Sequence, residues 1–128
     1  MRRIIADTNS FLRLLIDDIP QQKKAFTKLL KKGKDREILI FVPQIIVFEI
    51  EYILRKYYQV PKDKIIEKLQ TIVTMYFLEI EDRQSFIMAL DFYLKHSISF
   101  ADCFILARSK IEEYELFTFD KKLSKLAL

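Results

Sequence analysis

The stretch Ile38–Val42, which reads ILIFV, is an unbroken apolar run that ends at Pro43. Such a run is typical of a strand that is buried on both faces of a parallel sheet. Proline is tolerated in the first turn of a helix because it fixes a helical φ angle and needs no amide donor there. We therefore predict a central strand that leads directly into a helix ending near Tyr58.

On both sides of this strand, short apolar segments alternate with helical patterns. Further strands are predicted at Ile4–Ala6, Tyr76–Ile80 and Leu116–Phe119. Helices are predicted at Ser10–Ile16, Gln21–Lys32, Lys62–Met75, Gln84–Lys95, from Ser99 or Phe100 to Glu113, and in a short turn at Lys121–Leu126. We expect Gly33 to end the helix at Gln21–Lys32. The alternation favours one α/β domain over residues 1–128, with a mostly parallel sheet and helices on both faces.

The composition excludes several classes of function. A hydrophobic content of 51% excludes disorder, and a single glycine excludes phosphate-binding and dinucleotide-binding loops. Cys103 is the only cysteine, which excludes a disulfide and a cysteine zinc cluster and suits a reducing cytoplasm, the predicted location. His96 is the only histidine, so a two-histidine ribonuclease mechanism is impossible. A net charge of +4 suits a nucleic acid or an acidic protein as partner, and no apolar segment is long enough to predict a membrane partner.

Acidic residues follow two of the predicted strands. Asp7 and Asp120 each come directly after an apolar strand, and Asn9 lies two residues beyond Asp7. Ligands of parallel sheets bind at the carboxyl ends of the strands, so these side chains are candidates for a site. Each could instead cap the helix that follows it.

Glu49 is predicted to face the protein interior. Its neighbours on the helix at positions 45, 46, 52 and 53 are apolar, whereas Glu51 can pair with Arg55 on what should be a solvated face. An inward carboxylate is costly unless it is paired, protonated or bound to a metal ion. The alternatives for Glu49 are a metal site and a buried salt bridge.

Asp102 lies in an almost entirely apolar helical segment, Phe100–Ala107, which predicts a buried helix. Ser99 and Asp102 also match a capping box, and the two roles can coexist. We expect Asp102 to converge with Asp7, Glu49 and Asp120 on one pocket, where their mutual repulsion calls for a cation. Oxygen ligands without histidine or cysteine favour Mg²⁺ or Mn²⁺, ions that serve phosphate chemistry.

Four segments resemble, in order, the motifs of PIN-domain ribonucleases: Ile4–Leu12, Val42-Pro43 followed by Glu49, Phe100–Ala107, and Leu116–Leu123. The compact length resembles VapC-type toxins of prokaryotic toxin–antitoxin pairs. The resemblance implies an α/β/α sandwich whose central sheet has four strands, or five if the last residues add one. Members usually have that fifth strand, but only Lys125–Leu128 remain here to form it.

The resemblance also implies the activity, an endoribonuclease that uses Mg²⁺ or Mn²⁺ to cleave single-stranded regions of RNA and leaves 5′-phosphate ends. Asp7, Glu49 and Asp102 would be the main metal ligands, and Asp120 would bind a second ion or position the attacking water. Asn9 and Thr118 would support these groups. An antitoxin protein and a second copy of the chain are the implied protein partners.

Basic residues and competing functions complete the sequence-based hypotheses. Arg13 is predicted to contact RNA near the pocket, whereas the lysines between Lys23 and Lys34 form either an RNA-guiding face or an ordinary solvated face. Alternative functions are a non-catalytic PIN-like scaffold that binds RNA or protein, and a housekeeping RNA-processing nuclease. A phosphotransfer domain fits poorly, because a dehalogenase-type site needs aspartate rather than Asn9.

Overall fold

A computed structural model describes all residues from 1 to 128. It has three strands and seven helices, in the order β1 (Arg2–Ile5), α1 (Thr8–Leu15), α2 (Pro20–Lys34), β2 (Ile38–Val42), α3 (Gln44–Lys56), α4 (Lys62–Val73), β3 (Glu79–Ile80), α5 (Arg83–Lys95), α6 (Phe100–Ile111) and α7 (Lys121–Ala127). The strands form one parallel sheet in the order β1-β2-β3. The predicted α/β class, the parallel sheet and the central position of Ile38–Val42 are therefore confirmed.

Strand β2 is central because it pairs with both other strands. Ile4 lies opposite Ile40 on one side, and Phe41 lies opposite Glu79 on the other. Ile38, Ile40 and Val42 are fully buried, whereas the residues between them are only partly covered. The continuous apolar run thus predicted the strand correctly, although one of its faces is less buried than expected.

The prediction of a fourth strand at Leu116–Phe119 is wrong. The segment Glu115–Phe119 makes no backbone–backbone hydrogen bond, and Phe117 and Phe119 are 84% and 92% exposed. The chain then enters α7 rather than a fifth strand, so the sheet has three strands instead of four or five. Aromatic and β-branched residues favour a strand only where a neighbouring strand and a buried face are available, and here the segment has neither.

Two smaller corrections concern β3 and Gly33. Strand β3 covers only Glu79–Ile80, because Tyr76 and Phe77 form a turn instead. Gly33 lies inside α2 and does not end it. A Cβ atom on Gly33 would lie 3.0 Å from Ile40 Cδ1 and 3.3 Å from a ring carbon of Phe77, so the glycine permits a close approach of α2 to the sheet. The remaining elements agree with the predicted bounds to within two residues.

An aromatic cluster joins α3, α5 and α6 in the core. The ring of Phe104 lies 4.9 Å from that of Phe48 and 4.8 Å from that of Phe86, and Phe100 packs against both of these partners. Phe86, Phe100 and Phe104 belong to a core of 27 buried residues, and the partly buried Phe48 packs against it. The cluster fixes the position of α3 and α6, the helices that contain Glu49 and Asp102. None of the helices combines the length and the apolar character needed to span a bilayer.

Candidate active site

Asp7 follows β1 and is the N-cap of α1. Its Oδ1 atom accepts hydrogen bonds from the Ser10 amide at 3.0 Å and the Ser10 hydroxyl at 2.8 Å. These bonds satisfy a free amide of the first helical turn and fix the carboxylate. The Oδ2 atom makes no hydrogen bond, so Asp7 can cap the helix and still offer an oxygen to a ligand.

Asp120 is held in the same way at the start of α7. Its Oδ1 atom accepts a hydrogen bond from the Leu123 amide at 2.8 Å, and its Oδ2 atom makes none. The hydroxyl of Thr118 accepts a hydrogen bond from the Asp120 amide at 3.0 Å. Thr118 therefore orients the backbone of Asp120 rather than its carboxylate, which refines the supporting role expected for this threonine.

The predicted orientation of the two glutamates on α3 is wrong, because Glu49 is exposed and Glu51 is only 4% exposed. The buried face of the helix passes through Ile46, Val47, Ile50, Glu51 and Leu54. Ile45, which was expected to lie beside an inward Glu49, is largely exposed. The helix is apolar on nearly every side, so its sequence periodicity does not define a single buried face. The face predicted to be buried is therefore the wrong one.

Glu51 is satisfied by structural partners. Tyr93 donates to its Oε2 atom at 2.9 Å, and Arg55 donates Nε to the same oxygen at 2.8 Å. The predicted Glu51–Arg55 pair thus exists, but it lies at the edge of the core rather than on a solvated face. Burial and the hydrogen bond to Glu51 raise the pKa of the Tyr93 hydroxyl, and Glu51 raises the pKa of Arg55.

Glu49 points to the other side of α3, towards the start of α1. Thr8, a buried residue, donates its hydroxyl to Glu49 Oε2 at 3.1 Å, and Oε1 makes no hydrogen bond. Thr8 directly follows Asp7 in the chain. The structure therefore brings the β1–α1 junction and the exposed carboxylate of α3 together through one hydroxyl.

Asp102 lies in the first turn of α6 and is partly buried. The Ser99 hydroxyl accepts a hydrogen bond from the Asp102 amide at 3.1 Å, as a capping box predicts. The reciprocal bond, from the Ser99 amide to the Asp102 carboxylate, is not formed, because the aspartate side chain is short. Neither carboxylate oxygen of Asp102 therefore has a hydrogen-bond partner.

The four predicted acids share one electrostatic property. None of Asp7, Glu49, Asp102 and Asp120 has a lysine or arginine within salt-bridge distance, and each keeps at least one carboxylate oxygen without a hydrogen bond. No three acidic, histidine or cysteine side chains stand close enough together to hold a metal ion. The structure therefore places the four acids as free carboxylates without assembling them around one point.

Two further acids at the end of β3 were missed by the sequence analysis. Glu81 accepts a hydrogen bond from the Gln44 amide at 3.0 Å, and Asp82 accepts bonds from Ser85 and Arg108, both at 2.7 Å. They follow a parallel strand, which is the signal that drew attention to Asp7. Both oxygens of Asp82 are bonded and hold α5 and α6 in place, which distinguishes it from the four free acids. Glu81 holds α3 with one oxygen and keeps the other free, so it shares their property.

A comparison of the chain with known protein families identifies its family. A family model described as PIN domain matches residues 4–128 and so covers all four sequence motifs. The chain belongs to the PIN-domain family. A search of curated proteins found no significant match.

Membership of the family establishes a nuclease fold, and PIN-domain nucleases typically use divalent metal ions. The donor atoms of this PIN domain fit such an ion in their chemistry, because all four free acids offer hard oxygen ligands and no nitrogen or sulfur. Their positions do not fit such an ion, because no three of them lie close enough together to bind it. An ion would therefore have to draw carboxylates of this set closer together.

A groove between α1 and α2 opens beside Asp7 in this PIN domain. We call it the site groove, and its lining consists of Asp7, Asn9, Ser10, Arg13, Gln22, Ala25, Phe26 and Leu29. Asn9 is exposed at its edge. Arg13 donates to Asp18 at 3.0 Å and to the Tyr58 hydroxyl at 3.4 Å, while its buried Nε atom has no partner. Arg13 is thus fixed in the wall of the groove with one donor still free.

Proposed function

We propose that this protein is an endoribonuclease that uses Mg²⁺ or Mn²⁺ to hydrolyse phosphodiester bonds in single-stranded regions of RNA. The observation that carries the proposal is the set of four carboxylates without a neutralising cation in a PIN domain. Carboxylates drawn together around one site repel one another unless a cation lies among them, so a cation is the ligand that these four acids would accept.

Asp7, Glu49 and Asp102 are the proposed metal ligands, and Asp120 completes the set. When bound, the ion would supply a Lewis acid for the phosphoryl oxygens and would lower the pKa of a water molecule. Ser10 and Leu123 hold one oxygen of Asp7 and Asp120 through the caps, which leaves the second oxygen directed away from the helix backbone. Thr8 holds Glu49. These fixed side chains reduce the reorganisation that binding requires.

Asn9 and Arg13 are the proposed groups on the substrate side. Both line the site groove, and the Arg13 guanidinium is the only cation in its lining, which suits a phosphate group. Thr118 is proposed to hold Asp120 in position through its backbone. The expected products have 5′-phosphate and 3′-hydroxyl ends, because a water molecule would attack the phosphorus atom and the 3′ oxygen would leave with a proton.

The test of this function is cleavage of end-labelled single-stranded RNA with Mn²⁺, with Mg²⁺ and with EDTA. Wild type should cleave with either ion, and Asp7→Asn should not cleave, because the substitution removes one ligand charge while an amide oxygen can still cap α1. Cleavage by wild type in EDTA, or by Asp7→Asn at the wild-type rate, would contradict the site assignment.

Thermal unfolding gives an independent measure of the same site. An ion that binds only the folded state stabilises it by about 1.4 kcal/mol at ~10 times its Kd. For a domain of this size that corresponds to a rise of several degrees in Tm. We expect Mn²⁺ to raise the Tm of wild type and to raise that of Asp7→Asn much less. Equal shifts would mean that Asp7 is not a ligand.

A non-catalytic PIN domain that binds RNA or protein is the second candidate. The observation in its favour is that no three ligating side chains stand within metal-binding distance of one another. Its outcome in the same experiments is distinct: the protein would bind RNA, would leave it intact with both ions, and would show no Mn²⁺-dependent rise in Tm.

The toxin of a cytoplasmic toxin–antitoxin pair is the proposed biological role. Exposed apolar residues on and after α3, which include Ile45, Tyr52 and Tyr57, suit an antitoxin or a second copy of the chain. Expression of wild type alone should slow growth, and Asp7→Asn should not. Cleavage in vitro without toxicity would instead favour a housekeeping nuclease.

A further inference from the structure

The lysines of α2 fall into two groups according to their partners. Lys23 pairs with Asp17, and Lys31 pairs with Asp35 at 2.9 Å. Lys24, Lys28, Lys32 and Lys34 are all exposed and have no acidic partner within salt-bridge distance. We call the first three, which are four residues apart, the lysine row. The charge of the row is therefore not used within the fold.

The lysine row is linear and regularly spaced. Its members are four residues apart, so they lie on one side of the helix at intervals of about 6 Å along its axis. Like charges at this spacing repel and destabilise a helix. An ordinary solvated face would alternate its charges, and this row does not, which points to an extended anion outside the protein as its partner.

The lysine row is also continuous with the site groove. Ala25 and Leu29 line the groove beside Asp7, and the same two residues line the adjoining surface that contains Lys28 and Lys32. Lys28 in turn borders the next surface, which contains Lys24. A chain of shared residues thus connects the row to the groove along the outer side of α2.

We propose that the lysine row binds the phosphate backbone of single-stranded RNA and leads the strand into the site groove. This inference rests on the proposed ribonuclease function, for which it identifies the path of the substrate. A regular polyanion matches an evenly spaced row of point charges, and lysine contacts to phosphates carry no base specificity. The row should therefore increase affinity for RNA of any sequence. Acidic polypeptide is the competing ligand, and continuity with the groove favours RNA.

The test measures RNA binding without cleavage. Fluorescence anisotropy would follow a labelled single-stranded RNA of about 12 nucleotides, a length within the range that single-strand-binding modules cover, in EDTA and over a series of salt concentrations. The row variant combines Lys24→Gln, Lys28→Gln and Lys32→Gln. The matched control combines Lys56→Gln, Lys110→Gln and Lys125→Gln, which removes the same net charge from exposed helical lysines elsewhere that also have no acidic partner.

We expect the row variant to bind RNA at least about tenfold more weakly and its salt dependence to fall by about 2 in the log–log slope, because each single-strand phosphate contact contributes ~0.7. The control should keep most of the affinity and the slope. Equal losses of RNA affinity in both variants would mean that net charge alone causes the effect, and would overturn the proposal. Unchanged RNA binding by the row variant would also overturn it. The Tm of the row variant should not fall, since glutamine and lysine have similar helix propensities.

Two further arms separate this inference from the proposed function. If RNA binding depends on the row but wild type never cleaves with Mn²⁺, the row is supported and the catalytic function fails. If cleavage depends on Asp7 but the row variant binds and cleaves like wild type, the function stands and the row fails. Polyglutamate is the last probe: loss of polyglutamate binding with RNA binding intact would identify an acidic protein as the ligand and overturn the proposal.

Discussion

The two faces of α3 treat two neighbouring glutamates in opposite ways. Glu51 is buried, and both of its oxygens are hydrogen-bonded, by Tyr93 and Arg55. Glu49 is exposed and has one oxygen bound to Thr8 and one free. On one helix, therefore, a carboxylate that holds the fold together stands two residues from a carboxylate that is available to a ligand.

The difference shows that burial alone does not identify a functional acid. A buried carboxylate must have all its oxygens satisfied, because the cost of leaving one unpaired is high. A carboxylate that is to bind an ion must keep an oxygen free. The state of the oxygens thus separates the four predicted acids from Glu51 and Asp82 better than depth does. It does not separate them from Glu81, which also keeps one oxygen free, so the sequence motifs remain necessary to identify them.

The largest expected effect is on the exposed face of α3, which carries Glu49. Glu49→Gln should lower RNA cleavage by about 100-fold or more, because it removes the charge of a proposed metal ligand. The free energy of unfolding should change by less than about 0.5 kcal/mol, as for most surface substitutions, since the amide oxygen can still accept from Thr8. Cleavage assays and urea unfolding measure the two quantities.

Asp63→Asn is the matched control for this substitution, since Asp63 is an exposed acid in the first turn of α4 with no proposed role. It should leave cleavage unchanged. A Glu49→Gln protein that cleaves RNA as fast as this control would remove Glu49 from the site and with it the contrast between the two faces.

The next largest effect is on the buried face. Glu51→Gln should lower the free energy of unfolding by about 1–3 kcal/mol, because the neutral amide loses the charge that pairs with Arg55 and replaces the acceptor Oε1 by a donor that faces the guanidinium. The cleavage rate per folded molecule should remain at the wild-type value. Tyr93→Phe completes a double-mutant cycle, and a coupling energy near zero would show that the Glu51–Tyr93 hydrogen bond does not stabilise the protein.

A smaller effect should appear in alkali, and it comes from a buried residue of α6. Burial raises the pKa of the Cys103 thiol from 9.0 to about 11. The folded state therefore keeps a proton that the unfolded chain loses between these values, so the free energy of unfolding should fall as the pH rises through this window. We expect a contribution of about 1 kcal/mol near pH 10. Urea unfolding across the window should show a shallower fall for Cys103→Ala than for wild type.

The smallest effect is expected in the exposed segment before α7. Replacing Phe117 and Phe119 together by serine should change the free energy of unfolding by less than about 0.5 kcal/mol, since both rings are in solvent. Phe86→Ala, in the aromatic core, should cost about 3–5 kcal/mol. A loss above about 1 kcal/mol for the double serine variant would mean that this segment packs against the protein in solution.

Much of the architecture could be predicted because local and global signals agree. The run at β2, the helix that follows Pro43 and the capping box at Ser99 are local features, and each occupies the place that the sequence indicated. The capping alternative stated for Asp7 and Asp120 also holds, since each accepts a backbone amide of the helix that follows. Spacing and turn chemistry are sufficient for features of this kind.

The remaining features depend on contacts between distant parts of the chain. Which side of α3 faces the core is decided by its neighbours α1, α4 and α6, because the helix is apolar on nearly every side. Whether Leu116–Phe119 forms a strand depends on a partner that propensity does not supply. Whether the four acids bind one ion depends on side-chain placement, which spacing along the chain does not determine.

Gly33 has a consequence for how this protein tolerates mutation. The residue is remote from Asp7 in sequence, but any side chain there would press on Ile40 and Phe77 and push α2 away from the sheet. Helix α2 supplies one wall of the site groove. A random-mutagenesis screen for folded but inactive protein should therefore recover substitutions at this glycine alongside those of the acids, although the residue has no functional group of its own.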